Sequence, residues 1–175
     1  MALFLAEGFS RFTLDGLAAR LRCSKSTLYQ LAGSKDDLVR AVAVHFFREA
    51  TVRVEAALAG ASTSGERVEA YLRAIGRELR LGSPSFFADL AAPGPAGEVY
   101  RQNTAFAAER VGALLDEGAR SGEFRAVHAA FVTDLVGAQM VRIQQGQVRA
   151  STGVDDAAAY EALADLVLHG VASPG

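Results

Sequence analysis

TLDGLAARLRCSKSTLYQLAGSKDDL, residues 13–38, holds Lys25 and Lys35, the only lysines in a chain whose other basic residues are all arginine. Thr13 offers a side-chain cap to a helix. Leu14, Leu17, Ala18 and Leu21 follow at the i, i+3, i+4, i+7 spacing of one buried face. Ser24 offers the next cap, to a short helix carrying Thr27 to Leu31. Ser34 with Asp37 three residues later resembles a capping box, Asp standing for the usual Glu, and opens a long helix over about 36–59. Two short helices, a tight turn between them and a longer helix behind are the helix-turn-helix layout, whose second helix enters the DNA major groove.

The side chains suit that placement. Lys25, at the start of the second helix, can reach guanine O6 and N7 or a phosphate. The hydroxyls of Thr27 and Tyr29 can donate to phosphate oxygens, and Gln30 can pair with an adenine edge. Lys35 can lie against the nucleic-acid backbone. Thr13 adds a hydroxyl and a backbone N–H at a helix N-terminus, where an anion is favoured. Arg11 and Arg22 read as surface residues, and Cys23, in the apolar position of the turn, as a buried structural thiol.

Outside this stretch the charge is unremarkable. Residues 1–40 carry six basic side chains against four acidic ones, while the whole chain has a formal charge of −2. A small basic end on an acidic body is compatible with nucleic-acid binding. Half of the 175 residues are apolar, enough for a core. The longest stretches free of charged side chains, 56–65 and 166–175, are ten residues each, whereas a membrane span needs about 20. MALFLAEGF lacks the basic start of a secretory signal and one cysteine builds no internal disulfide, so a cytoplasmic location is expected.

Alternating β-branched runs do not occur, and the fold class expected is all-α. Gly8 closes a first apolar helix. After a small-residue loop at 60–65 come a helix over about 65–81 and a short segment with Phe86 and Phe87 between the Gly82-Ser83-Pro84 and Pro93-Gly94-Pro95 clusters. Helices follow over about 96–120, closed by Gly118 and Gly122, then 127–149 and 155–170. The last five residues are expected to fray. His45, His128 and His169 have no partner at metal-binding spacing, and phosphate-cradling and nucleophile-elbow motifs are missing. No catalytic residue, metal or cofactor is expected, and the chain does not read as an enzyme.

Ala2-Leu3-Phe4, Ala6-Glu7-Gly8-Phe9, Thr13, Leu17-Ala18, Ser24, Thr27-Leu28-Tyr29 and Ser34-Lys35-Asp36-Asp37-Leu38 together resemble the N-terminal domain of the TetR (tetracycline repressor) family of bacterial regulators. The turn Gly118-Ala119-Arg120-Ser121-Gly122-Glu123-Phe124-Arg125 is similar to the family's link between its seventh and eighth helices. The resemblance implies a helix-turn-helix domain over 1–38 and a helical effector-binding and dimerisation domain over 39–175. It further implies a homodimer on double-stranded operator DNA, a repressor relieved by a small molecule, with Thr13, Lys25, Thr27, Tyr29, Gln30 and Lys35 at or beside positions that touch DNA. Arg22 replaces the family's turn glycine, Gly16 its capping acid, and Leu31-Ala32 its aromatic pair. Family members also begin further upstream with a basic arm, so either translation starts earlier or the arm is lacking. These departures motivate an alternative, a ligand-binding or interaction protein of the same fold that has lost operator binding.

For the effector, Phe47, Tyr71, Phe86, Phe87, Tyr100 and Phe106 are candidates to line a cavity, with Asn103, Gln139 or Arg142 orienting the ligand. For the dimer, Phe131, Val132, Leu135, Val136 and Met140 with Leu163, Leu166, Val167 and Val171 give the last two long helices an apolar face suited to a four-helix seam.

Overall fold

The helix starts are written locally. In the computed structural model, which describes residues 1–125 and 127–171, Thr13 Oγ1 accepts from Gly16 N–H at 3.1 Å and Ser24 Oγ from Thr27 N–H at 3.1 Å. The first helices are Ala2–Glu7 (α1), Leu14–Leu21 (α2) and Lys25–Leu31 (α3). Gly8 ends α1 at φ 73°. Ser34 Oγ accepts from Asp37 N–H and donates to the Asp37 carboxylate, opening Lys35–Ala56 (α4), which tightens into a 3-10 turn at Ala57–Gly60. Gly16 removes an acid from the first turn of α2 without removing its cap, because the cap is the Thr13 hydroxyl.

The next helix, Ser64–Leu79 (α5), is nucleated by a capping box not anticipated from the sequence: Thr63 Oγ1 accepts from Glu66 N–H, and the Glu66 carboxylate accepts from Thr63 N–H. Pro84–Ala91 (α6) has Ser83 as cap and proline in its first turn. Pro95–Ser121 (α7) runs through Gly118. That glycine serves packing: a Cβ on it would collide with the Phe124 ring and the Ser64 side chain. The helix stops at Gly122, φ 80°. The span expected as one helix over 127–149 is two, Ala129–Gln144 (α8) and Gln147–Thr152 (α9), because Gly146 adopts φ 69°. Asp156–Val171 (α10) closes the described chain. Of the residues expected to fray, 172–175 lie outside the described ones. Among the described residues there is no strand, and the class is all-α, a helix-turn-helix followed by a helical body.

Packing gathers the helices into two units. One comprises Met1–Arg48 and Gly82–Tyr100, the other Glu49–Leu81 and Arg101–Gly175. The first has an aromatic interior, in which Phe46 meets Phe47, Phe86 and Phe87 edge-on at 5.1, 5.3 and 6.1 Å between ring centres. The second is aliphatic: Leu72, Val111, Leu114, Val136 and Ile143 are fully buried around Tyr160.

One local conflict is measurable. Arg22 closes α2 in the left-handed region, φ 52° and ψ 41°, the only non-glycine with positive φ among the described residues. A Cβ there costs roughly 1–2 kcal/mol, partly offset because glycine has more freedom to lose on folding. Arg22→Gly is expected to stabilise the chain by about 1 kcal/mol, raising the thermal midpoint by about 2–4 °C at this length. An unchanged or lower midpoint by calorimetry contradicts the strain.

Candidate nucleic-acid interface

Among the described side chains of the second helix, Leu28 is buried, 3% exposed, while Lys25, Ser26, Thr27, Tyr29 and Gln30 are all exposed. Tyr29, at 52% exposure, is not a core residue. The helix therefore offers a polar, hydroxyl-rich surface. Ser24 Oγ lies 2.8 Å from both Ser26 Oγ and Thr27 Oγ1, so a linked trio of hydroxyls marks its N-terminal end. Leu21, expected on the buried face of α2, is 52% exposed, and Cys23, expected to be buried, is only half-buried. The left-handed Arg22 between them turns the chain outward there.

Both lysines are engaged within the domain. Lys25 Nζ pairs with the Asp15 carboxylate at 2.5 Å, both side chains being about 60% exposed. Lys35 Nζ donates to the Ser10 carbonyl at 2.8 Å. An exposed pair of this kind contributes about 0–1 kcal/mol, and an ammonium has three donors, so each lysine can turn to a phosphate at little cost. Arg11 and Arg20 share the Glu7 carboxylate and lie over the Phe12 ring at 5.1 and 5.6 Å. Their charge is absorbed in holding α1 to α2. Thr13 is exposed, but its hydroxyl is occupied by the α2 cap.

The loop between α1 and α2 is fixed from a distance no sequence motif signals. Asp89, on α6, accepts from Phe9 N–H at 2.5 Å and Ser10 N–H at 2.8 Å. Ser83 N–H donates to the Leu5 carbonyl at 2.7 Å. The Ser10 carbonyl that receives Lys35 is thus positioned by Asp89.

The residues expected to line an effector cavity fall in different packing units. Phe47, Phe86, Phe87 and Tyr100 pack on one another in the first, Phe47 stacking on Tyr100 at 5.2 Å and Phe86 meeting Phe87 at 5.3 Å. Tyr71, Asn103, Phe106, Gln139 and Arg142 belong to the second. There Tyr71 is buried near the Arg110–Glu55 pair, and burial raises its hydroxyl pKa to about 12. Phe106 is 70% exposed. Gln139 borders a cavity of about 370 Å³ with Leu135, Leu163 and Leu166, and accepts from Arg142 at 3.2 Å. Thr104 and Gln144, not anticipated from the sequence, hydrogen-bond through their side chains at 2.5 Å inside the body, Thr104 being 2% exposed. Equally unforeseen is the Tyr160 hydroxyl, buried without a hydrogen-bond partner. Among the described residues no three of His, Cys, Asp and Glu gather closely enough for a metal ion, and no helix is long and apolar enough to cross a membrane.

Residues 1–42, the helix-turn-helix and the start of α4, match the model of the bacterial regulatory proteins of the tetR family. The first 42 residues are similar to that family's model. Solved structures extend the likeness over the whole fold. A regulator of the TetR/AcrR family from Thermobifida fusca is 26% identical, with 93% of this chain and 88% of that one covered and a TM-score of 0.65. The TetR-family regulator PfmR from Thermus thermophilus is 22% identical, covering 93% and 91%, with a TM-score of 0.68. A protein described as a transcriptional regulator from Saccharomonospora viridis, in complex with choline, is 16% identical, covering 99% and 93%, with a TM-score of 0.77. No curated protein sequence matches the chain.

Proposed function

We propose that the protein is a homodimeric transcriptional repressor that binds a two-fold operator through α3 and is released by a small molecule taken up in its helical body. The observation that carries the DNA reading is the outward face of α3, where Lys25, Thr27, Tyr29 and Gln30 stand exposed on a helix held by Leu28. Gln30 would read a base edge, Lys25, Thr27 and Tyr29 would bind phosphates, and Thr13 and Lys35 would fix the approach of the domain on the backbone. Two α3 helices must sit about 34 Å apart to enter successive major grooves, and an effector that changes this separation weakens binding.

The choline complex of the Saccharomonospora viridis protein supports a body of this fold that admits a small molecule. In this chain the candidate contacts within the second unit are Tyr71, Asn103 and Gln139, whereas Phe47, Phe86, Phe87 and Tyr100 fill the interior of the first, and Phe106 and Arg142 are exposed. Tyr160 joins them, because a buried hydroxyl without a partner costs about 1–3 kcal/mol that a ligand atom would recover. The dimer would form through α8 and α10, whose Phe131, Leu135 and Leu166 are 63, 51 and 68% exposed.

Fluorescence anisotropy with duplex from the region upstream of the protein's own gene tests the DNA reading. Two lysines per protomer on phosphates give a log K against log salt slope of about −3.6, and Lys35→Ala reduces its magnitude by about 1.8. No binding at low salt, or a slope untouched by Lys35→Ala, contradicts the assignment.

A further inference from the structure

The solvent-facing side of α8 has the spacing of a helix packed on another helix. Phe131, Leu135 and Val141 are 63, 51 and 40% exposed. Together with Asp134, Ala138 and Arg142, also exposed, they form one stripe at intervals of three and four residues. Several arginines of the same unit are matched, Arg53 to Glu78, Arg67 to Glu117, Arg110 to Glu55 and Arg149 to Asp156. Among the described residues Asp134 has no ion pair or hydrogen bond, and Arg142 has only the Gln139 amide.

The geometry points to a second copy of this chain lying antiparallel on α8 across a two-fold axis at Ala138, with Asp134 of each protomer paired to the partner's Arg142. This rests on the dimer proposed above and adds its register. A two-fold axis perpendicular to a helix brings residues equally distant from it face to face. Asp134 and Arg142 are each four residues from Ala138, about 6 Å along the helix at 1.5 Å per residue. Leu135 and Val141 are each three residues away, so aliphatic meets aliphatic inside the charged pairs. Alanine on the axis lets the helices approach toward the lower end of the usual 8–10 Å range. Moving the axis by four residues along the stripe, onto Asp134 or Arg142, sets like charges against each other, so the charges select this register. The stripe continues into the 370 Å³ groove lined by Leu135, Gln139, Leu163 and Leu166, where the partner's apolar side chains would seat. An interface that must complement itself requires opposite charges at symmetric positions, as here.

Sedimentation velocity on the full chain over a concentration series tests it by charge exchange. Wild type is expected to be dimeric, and Asp134→Arg and Arg142→Asp each to raise the dimer dissociation constant by about tenfold or more at low salt, since each places like charges together twice. The double variant carrying both substitutions restores it to within about twofold of wild type. Circular dichroism melts of the four proteins, and Asp134→Asn as a milder variant, separate lost pairing from lost folding. A dimeric wild type whose single variants dimerise unchanged, or whose double variant is weaker than both, overturns the register and leaves the dimer standing. A monomeric wild type overturns both.

Discussion

Above pH 10 the protein is expected to lose stability by about 1.4 kcal/mol per pH unit for each buried tyrosine that ionises only on unfolding. Two tyrosines of the helical body qualify. Burial raises Tyr71 to about 12, with the nearby Glu55 adding to the shift and Arg110 opposing it. Burial raises Tyr160 further, and Gln144, which does not reach hydrogen-bond geometry with the hydroxyl, opposes it without prevailing. The sign follows from proton counts. Between pH 10 and 12 the unfolded chain has released these protons while the folded chain retains them, so rising pH favours unfolding. Stability is complete below pH 10, and over those two units Tyr71 alone accounts for about 3 kcal/mol. An arginine-rich chain suits the measurement, because arginine does not titrate in this range. Guanidinium unfolding at pH 9, 10, 11 and 12 should show the decline, and Tyr160→Phe should reduce its slope by about 1.4 kcal/mol per unit. At pH 7 that variant should be as stable as wild type or up to about 1 kcal/mol more so, having lost a hydroxyl without a partner. Loss of more than about 1 kcal/mol at pH 7 would show that the hydroxyl is bonded in solution.

How far the sequence reveals the molecule depends on how local each cause is. Thr13, Ser24 and Ser34 cap helices through bonds to N–H groups three residues away, so the first domain is legible from one short stretch, as is the exposed polar surface of α3. The break at Gly146 is less so. The periodicity of the flanking Gln144 and Val148 continues through it, and a glycine is compatible with either conformation until its φ is known. Gly118 carries a glycine's usual stop signal, yet its neighbour is the Phe124 ring beyond the helix end. The aromatic residues are the hardest case. Phe47 and Tyr71 both lie at helical spacing on an apolar face, and nothing in that spacing assigns one to the aromatic interior and the other to the aliphatic one. Polar contacts between residues far apart in the chain, such as Thr104 with Gln144, leave no trace in either local sequence.

Asp89 is the most consequential of these distant contacts, and Asp89→Ala is expected to cost about 3 kcal/mol and to weaken DNA binding. Its carboxylate accepts from two backbone N–H groups in the loop between α1 and α2, and hydrogen bonds to a charged group contribute about 1.5–3 kcal/mol. Removing it leaves the amides of Phe9 and Ser10 without their acceptor in a loop that a left-handed Gly8 already commits to one path. The consequence passes to the interface through one further bond, since the Ser10 carbonyl is the acceptor that holds Lys35. Asp89→Asn keeps an acceptor oxygen without the charge and should fall between wild type and alanine. Urea unfolding measures the loss, and faster hydrogen exchange at the Phe9 and Ser10 amides localises it. Unchanged exchange at both amides in Asp89→Ala would remove the carboxylate from its assigned role. The same contact bears on where the helix-turn-helix unit ends. The family match stops at residue 42, but the loop of that domain is tied to α6 through Asp89 and Ser83, and Phe9 packs against Phe86 at 6.3 Å. A fragment of residues 1–48 lacks the acceptor and the ring, so it should be largely unfolded by circular dichroism at a temperature where the full chain is native.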